Sequence, residues 1–217
     1  MTRKYIISVL IILIVFFSFL NKKSKEQVFW EWFKENNASF YSGVDNQFER
    51  EKLFDELQFQ LKKVNSDLAF EFSPIHENGI REFIVSAEGV KEIFPIVEQL
   101  IDKAPELENW KFNAFRQRIP GDNFSIEVGS VKINYSDIYF RYKDGNYGDI
   151  GIELNIRNYN GEAEIINATY ILLDGLIGEY DITMGIDWID WVKLDDTNIN
   201  QLLPITDLRN LIDQKKN

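Results

Sequence analysis

The stretch that decides the fold is IYFRYKDGNYGDIGIELNI, residues 138–156. Apolar and polar side chains alternate on both flanks of a central Asp-Gly-Asn tripeptide, with Ile138 and Phe140 on one flank and Ile152 and Leu154 on the other. Alternation with a period of two predicts half-buried strands, and the tripeptide predicts the turn between them. This stretch therefore predicts an antiparallel strand pair.

Similar signals extend in both directions from this pair. Further strands are predicted around 68–72, 83–87, 110–114, 126–128, 131–135, 179–184 and 187–193. Apolar residues at helical spacing predict helices over about 25–40, 46–64, 90–103 and 162–173, and a short one after Pro204. Short turns between neighbouring strands favour antiparallel pairing. We expect an α+β fold, with helices covering an antiparallel meander, in a single domain of residues 25–217.

An apolar segment precedes this domain at residues 5–20, YIISVLIILIVFFSFL. As a helix it would be about 24 Å long, close to the ~30 Å hydrocarbon core, and flanking lysines can extend its reach. Small residues are missing at the cleavage positions, which favours a transmembrane anchor over a cleaved signal peptide. Two basic residues precede the segment, and Lys22, Lys23 and Lys25 follow it. We expect a single-pass membrane protein, and the extra charge favours a cytoplasmic domain.

Composition excludes several classes of function. The chain has 35 acidic and 24 basic residues and a net charge of −11, which disfavours nucleic acid and permits a basic protein partner. It has no cysteine and one histidine, His76, which excludes thiol chemistry and multi-histidine zinc sites. The loop 144–149 departs from the calcium-loop pattern at its sixth and twelfth positions, Asp149 and Asn155. We expect no metal and no cofactor.

Two aromatic clusters are candidates for an interaction surface. Residues 29–33, FWEWF, indicate either a helix at the membrane interface or, as the favoured interpretation, a buried helix. Residues 187–191, DWIDW, place carboxylates beside tryptophans, a combination also found in sugar-cleaving sites, although a surface strand with a partly buried aromatic side is the favoured interpretation. The candidate interaction residues are Trp30, Trp32, Asp187, Trp188, Asp190 and Trp191. No residue is assigned a catalytic role.

Scattered residues along the chain resemble a family of uncharacterised bacterial proteins common in Bacteroidetes-type genomes. They are the FWEWF run, Ala104-Pro105, residues 109–112 (NWKF), Leu173-Asp174 with Leu176 and Gly178-Glu179, and residues 203–205 (LPI). The resemblance spans nearly all of the chain after the anchor. It implies no activity and no catalytic residues, because none is assigned to that family. Its members mostly begin near the FWEWF helix without an anchor, which again favours a cytoplasmic domain.

These observations lead to one principal hypothesis and two alternatives. The principal hypothesis is a membrane-anchored, non-enzymatic protein-interaction domain, because the chain contains an anchor and no recognised catalytic motif. The first alternative is an immunity-type or regulatory protein that neutralises a basic partner, to which the acidic charge would steer it. The second is a carboxylate-based hydrolase that uses Asp187, Asp190 or Glu179, which requires these groups to converge in a pocket.

Overall fold

The structure is a computed structural model that describes residues 23–146 and 148–216. The anchor predicted at residues 5–20 lies outside the described residues. Within the described ranges, no helix is long and apolar enough to cross a membrane. The α+β class is confirmed, and the chain divides into two compact units, which we describe separately.

The first unit contains two helices, α1 (Lys25–Gly43) and α2 (Gln47–Val64), together with Asp102–Glu106. A capping box begins α1, because Gln27 donates its backbone N–H to Ser24 Oγ and its side chain accepts the backbone N–H of Ser24. In the first turn of α1, Glu26 accepts a hydrogen bond from Lys103 Nζ at 2.7 Å. This bond, together with a hydrogen bond from Ser24, lowers the pKa of Glu26 to about 2.

The second unit begins with a three-stranded sheet. Strand β1 (Ala69–Phe72) and strand β2 (Arg81–Ser86) form the predicted antiparallel hairpin. Strand β3 (Trp110–Ala114) pairs in parallel with β2, which differs from the expected antiparallel meander. The reason is the connection: a 3-10 turn (Lys91–Ile93) and helix α3 (Phe94–Ile101) carry the chain back to the same end of the sheet, as parallel pairing requires.

The quoted stretch 138–156 lies at the centre of a separate four-stranded sheet. Strands β6 (Ile138–Asp144) and β7 (Ile150–Ile156) pair antiparallel as predicted. The other two strands of this sheet are the edge strand β8 (Ile186–Lys193) and the two-residue β9 (Leu203–Pro204). A hairpin of β4 (Ser125–Val128) with β5 (Val131–Asn134) forms a sheet of its own. The order is β8-β7-β6-β9, with β8 parallel to β7. The expected single meander is therefore three separate sheets.

Helices cover one face of the four-stranded sheet. They are α4 (Ala163–Ile177), α5 (Glu179–Gly185) and α6 (Asp207–Lys215). The strand predicted at 179–184 is wrong, because this segment is helix α5. Gly178 has a φ of 85° and serves as the C-cap of α4 and the N-cap of α5, so that the chain changes direction at this single non-helical residue. The buried core includes Ile152 and Leu154 of β7 and Leu172 and Leu176 of α4.

Candidate functional site

A cleft of about 1000 Å³ lies in the second unit between the first sheet and helix α4. Its floor is the polar face of the sheet, where Glu71 pairs with Ile84 and Glu82 pairs with Lys111 across the strands. Its wall is the exposed face of α4, which includes Tyr170. A cavity of this size with mixed apolar and polar lining is typical of small-molecule sites, which measure ~300–1000 Å³.

Arg116 joins the charges at one end of the cleft. Its guanidinium donates hydrogen bonds to Glu71 and Glu88, and its Nη1 lies 3.5 Å from an Oδ2 of Asp174. Arg116 follows directly after β3 and Phe115, whose φ is 65°. The three carboxylates therefore surround a single cation, which is already engaged on several sides.

Asp174 is the carboxyl group of the cleft with the most perturbed acidity. Burial raises its pKa to about 7, against the attraction of Arg116, which lowers the pKa. The negative charges of Glu179, Glu71 and Glu88 also contribute to this raised pKa. Near neutral pH this carboxyl is therefore divided between a form that accepts hydrogen bonds and a form that also donates one.

Glu179 attaches the first turn of α5 to the first sheet. Its side chain is only 2% exposed. Its Oε1 accepts the backbone N–H groups of Ala87 and Gly89 at 3.0 and 3.2 Å, and its Oε2 accepts that of Arg116 at 3.2 Å. Because both oxygens are occupied by backbone donors, Glu179 acts as a structural tie between α5, β2 and β3.

Strand β8 presents its candidate residues at the edge of the second sheet. Trp188, Asp190 and Val192 stand opposite Gly151, Glu153 and Asn155 on the face away from the core. The ladder is irregular between Ile186 and Trp188, so that Asp187 is an extra, exposed residue in a bulge. Trp188 remains 41% exposed although its indole lies over Gly151. This strand thus combines an exposed aromatic ring with two exposed carboxylates.

The other candidate aromatics are less accessible. Trp30 is 3% exposed and Trp32 is partly buried, with its ring 5.6 Å from that of Phe40. Trp191 is directed to the core side of β8, where it meets the ring of Tyr170 at 5.2 Å. Of the six residues predicted for the interaction surface, Asp187, Trp188 and Asp190 are therefore the exposed group.

The three carboxylates of the hydrolase hypothesis are not brought together. Glu179 and Asp187 line a second cavity of about 560 Å³, whereas Asp190 does not line it.

The residues considered for metal binding are engaged elsewhere or isolated. Asp144 of the loop considered for calcium contacts Lys215 Nζ at 2.6 Å. His76 lines the cleft and is exposed, 3.8 Å from Glu82. In the part of the chain that the structure describes, no cluster of three or more His, Cys, Asp or Glu residues is arranged to hold a metal ion.

Sequence reasoning missed the residues of the cleft. Asn167, Tyr170, Ile171 and Asp174 repeat at spacings of three and four, which places them on one face of α4. That spacing could have indicated a shared polar face opposite the buried one. Arg116 gave no signal, because its partners come from distant segments of the chain.

Comparison with known proteins gives no further information on the site. No protein-family model matches this chain, and neither the curated proteins nor the solved structures contain a match. The resemblance to an uncharacterised bacterial family stays a prediction.

Proposed function

We propose that this chain is a membrane-anchored, non-enzymatic interaction protein that receives a basic, extended segment of a partner protein along β8. The observation that carries the proposal is the open edge: β8 pairs with β7 on one side, and no described strand pairs with it on the other. An eight-residue strand with a free edge offers backbone donors and acceptors to an added strand.

The side chains of β8 favour a basic partner. Asp187 and Asp190 are exposed beside Trp188, which supplies a large apolar contact in the first half of the strand. The same carboxylates disfavour edge-to-edge pairing between two copies of the chain, because like charges would face each other. A net charge of −11 would accelerate encounter with a basic protein. An immunity-type or regulatory role, in which a basic protein is neutralised, is one biological form of this activity.

The proposal can be tested with synthetic peptides and the full-length chain in detergent. The probe is an eight-residue peptide of alternating lysine and valine, measured by calorimetry at low and high salt. One control peptide carries glutamate in place of lysine, and another keeps the lysines but has proline at alternate positions. Proline removes the N–H groups that a strand needs, so this control separates pairing from charge attraction.

We expect only the lysine–valine peptide to bind strongly, with an affinity that falls as salt rises. Asp190→Lys should weaken binding at least tenfold, about 1.4 kcal/mol. The matched control is Asp55→Lys, which makes the same charge change at an exposed position of α2 and should leave binding close to wild type. Equal binding of the lysine and glutamate peptides, or equal loss in both variants, would rule out recognition at β8.

A further inference from the structure

The charged side chains of the cleft between β1–β3 and α4 are largely engaged in ion pairs, with one another or with residues beside the cleft. Lys111 donates to Glu82 at 3.0 Å, Arg116 is held by Glu71 and Glu88, and Arg118 donates to Asp181 at 2.7 Å and to Asp213. A ligand of either charge would therefore compete with existing ion pairs and gain little. A neutral ligand avoids this competition.

The hydrogen-bonding capacity that remains lies on one face of α4. Asn167, Tyr170 and Asp174 line the cleft at spacings of three and four residues, over about 10 Å of helix. Among the described residues, neither the Asn167 amide nor the Tyr170 hydroxyl has a hydrogen-bond partner, and the closest ion-pair contact of Asp174 is the 3.5 Å approach of Arg116. The amide and the hydroxyl can both donate and accept hydrogen bonds, and the carboxyl of Asp174 can accept them.

Apolar surface lies beside these groups. The ring of Tyr170 is 42% exposed, and Ile119 and Ile171 are similarly exposed at the cleft. A flat C–H surface of a ligand could pack on the tyrosine ring while hydroxyl groups at its edge meet the amide and the carboxyl. Sugar rings have this combination of an apolar face and a hydroxyl-bearing edge.

We infer that this cleft binds a neutral carbohydrate of one or a few sugar rings, with Tyr170 as the stacking surface and Asn167 and Asp174 as hydrogen-bonding partners. The size of the cleft, about 1000 Å³, is sufficient for such a ligand. The inference does not depend on the proposed function, because Trp188 and Asp190, the outward side chains of β8 tested there, lie on the sheet face away from the core and outside this cleft.

The test is a binding measurement with the full-length chain in a zwitterionic detergent that contains no sugar. The neutral probes are glucose, galactose, N-acetylglucosamine and cellobiose, measured by saturation-transfer NMR and titration. Lysine methyl ester and inorganic phosphate serve as charged probes. Tyr170→Ala is paired with Tyr142→Ala, a control on β6 that also removes a tyrosine 42% exposed but lies outside the cleft. Asn167→Ala tests the hydrogen bond without changing an aromatic contact.

We expect at least one neutral sugar to bind, Tyr170→Ala and Asn167→Ala each to weaken binding at least tenfold, and Tyr142→Ala to leave it unchanged. Tyr170→Ala also loses the contact with Trp191. If that loss unfolds the chain, the affinity of Asn167→Ala for the sugar still tests the inference. The inference is overturned if no neutral probe binds with a Kd below about 10 mM. It is also overturned if Asn167→Ala binds like wild type, or if only a charged probe binds with dependence on Tyr170.

Discussion

At the scale of single residues, Gly151 determines where the exposed indole of Trp188 lies. A Cβ atom at position 151 would overlap the Trp188 ring, whereas at Gly175 the nearest atom, in the flexible side chain of Ile119, is 3.3 Å away. The absence of a side chain on β7 thus allows the tryptophan to lie across the sheet.

Gly151→Ala should therefore displace Trp188 and lower the free energy of unfolding by about 1–3 kcal/mol, as overpacking does. Gly175→Ala should change stability by less, because alanine gains up to ~1 kcal/mol in a helix, which offsets the tight contact. Urea unfolding and tryptophan emission measure both effects. An unchanged emission spectrum in Gly151→Ala would contradict this role of Gly151.

The raised pKa of Asp174 predicts that the stability of the chain falls as pH rises. Its folded-state pKa of about 7 lies above the ordinary value of 3.8, so the folded chain keeps this proton after the unfolded chain has lost it. The group therefore makes the chain more stable at acidic pH, and this contribution is lost as pH rises from about 4 to about 7.

Asp174→Asn removes this titration. Between pH 5 and pH 8 the wild-type chain should lose about 1–3 kcal/mol of stability relative to Asp174→Asn, measured by urea unfolding at both values. Asp55→Asn, at an exposed carboxylate, is the control and should follow wild type. The same pH dependence in all three proteins would show that burial does not raise the pKa of Asp174.

At the scale of elements, the attachment of α5 depends on Glu179. Glu179→Ala would leave three backbone N–H groups without their acceptor, at a cost of at least about 3 kcal/mol. Glu179→Gln should cost less, because its carbonyl oxygen still accepts the bonds of Ala87 and Gly89. Glu162→Ala is the control, since that side chain makes no capping bond at the start of α4. Chemical unfolding measures the loss of stability in each variant. Equal losses for Glu179→Ala and Glu162→Ala would contradict the role of Glu179 in attaching α5.

Helix α5 is also the element that the sequence predicted wrongly, as a strand. The alternation of residues 138–156 predicted β6 and β7 because the large apolar side chains of each strand lie on one face, in the core, and recur with a period of two. Residues 179–184 are too few to show a period, and their helical signals are the glycine at 178 and the acids Glu179 and Asp181 in the first turn. The backbone acceptor role of Glu179 has no local signature, since its donors are about 63 to 92 residues away.

At the scale of the whole molecule, strand pairing was predicted where a turn joins the strands and missed where a helix joins them. The helices between β2 and β3 and between β7 and β8 were themselves signals for parallel pairing. The exposed residues Asp187, Trp188 and Asp190 were predicted as an interaction surface, whereas the cleft was not. A cleft depends on segments that meet only after folding, and single-sequence periodicity carries no information about such distances.

The central claim is that β8 accepts a basic strand at its free edge, and hydrogen–deuterium exchange tests it most directly. The lysine–valine peptide should slow exchange of the outward-directed amides of Ile186–Lys193, with no slowing in α2. The glutamate peptide should slow neither. Binding of the lysine–valine peptide without added protection in β8, or with protection confined to another element, would contradict the claim.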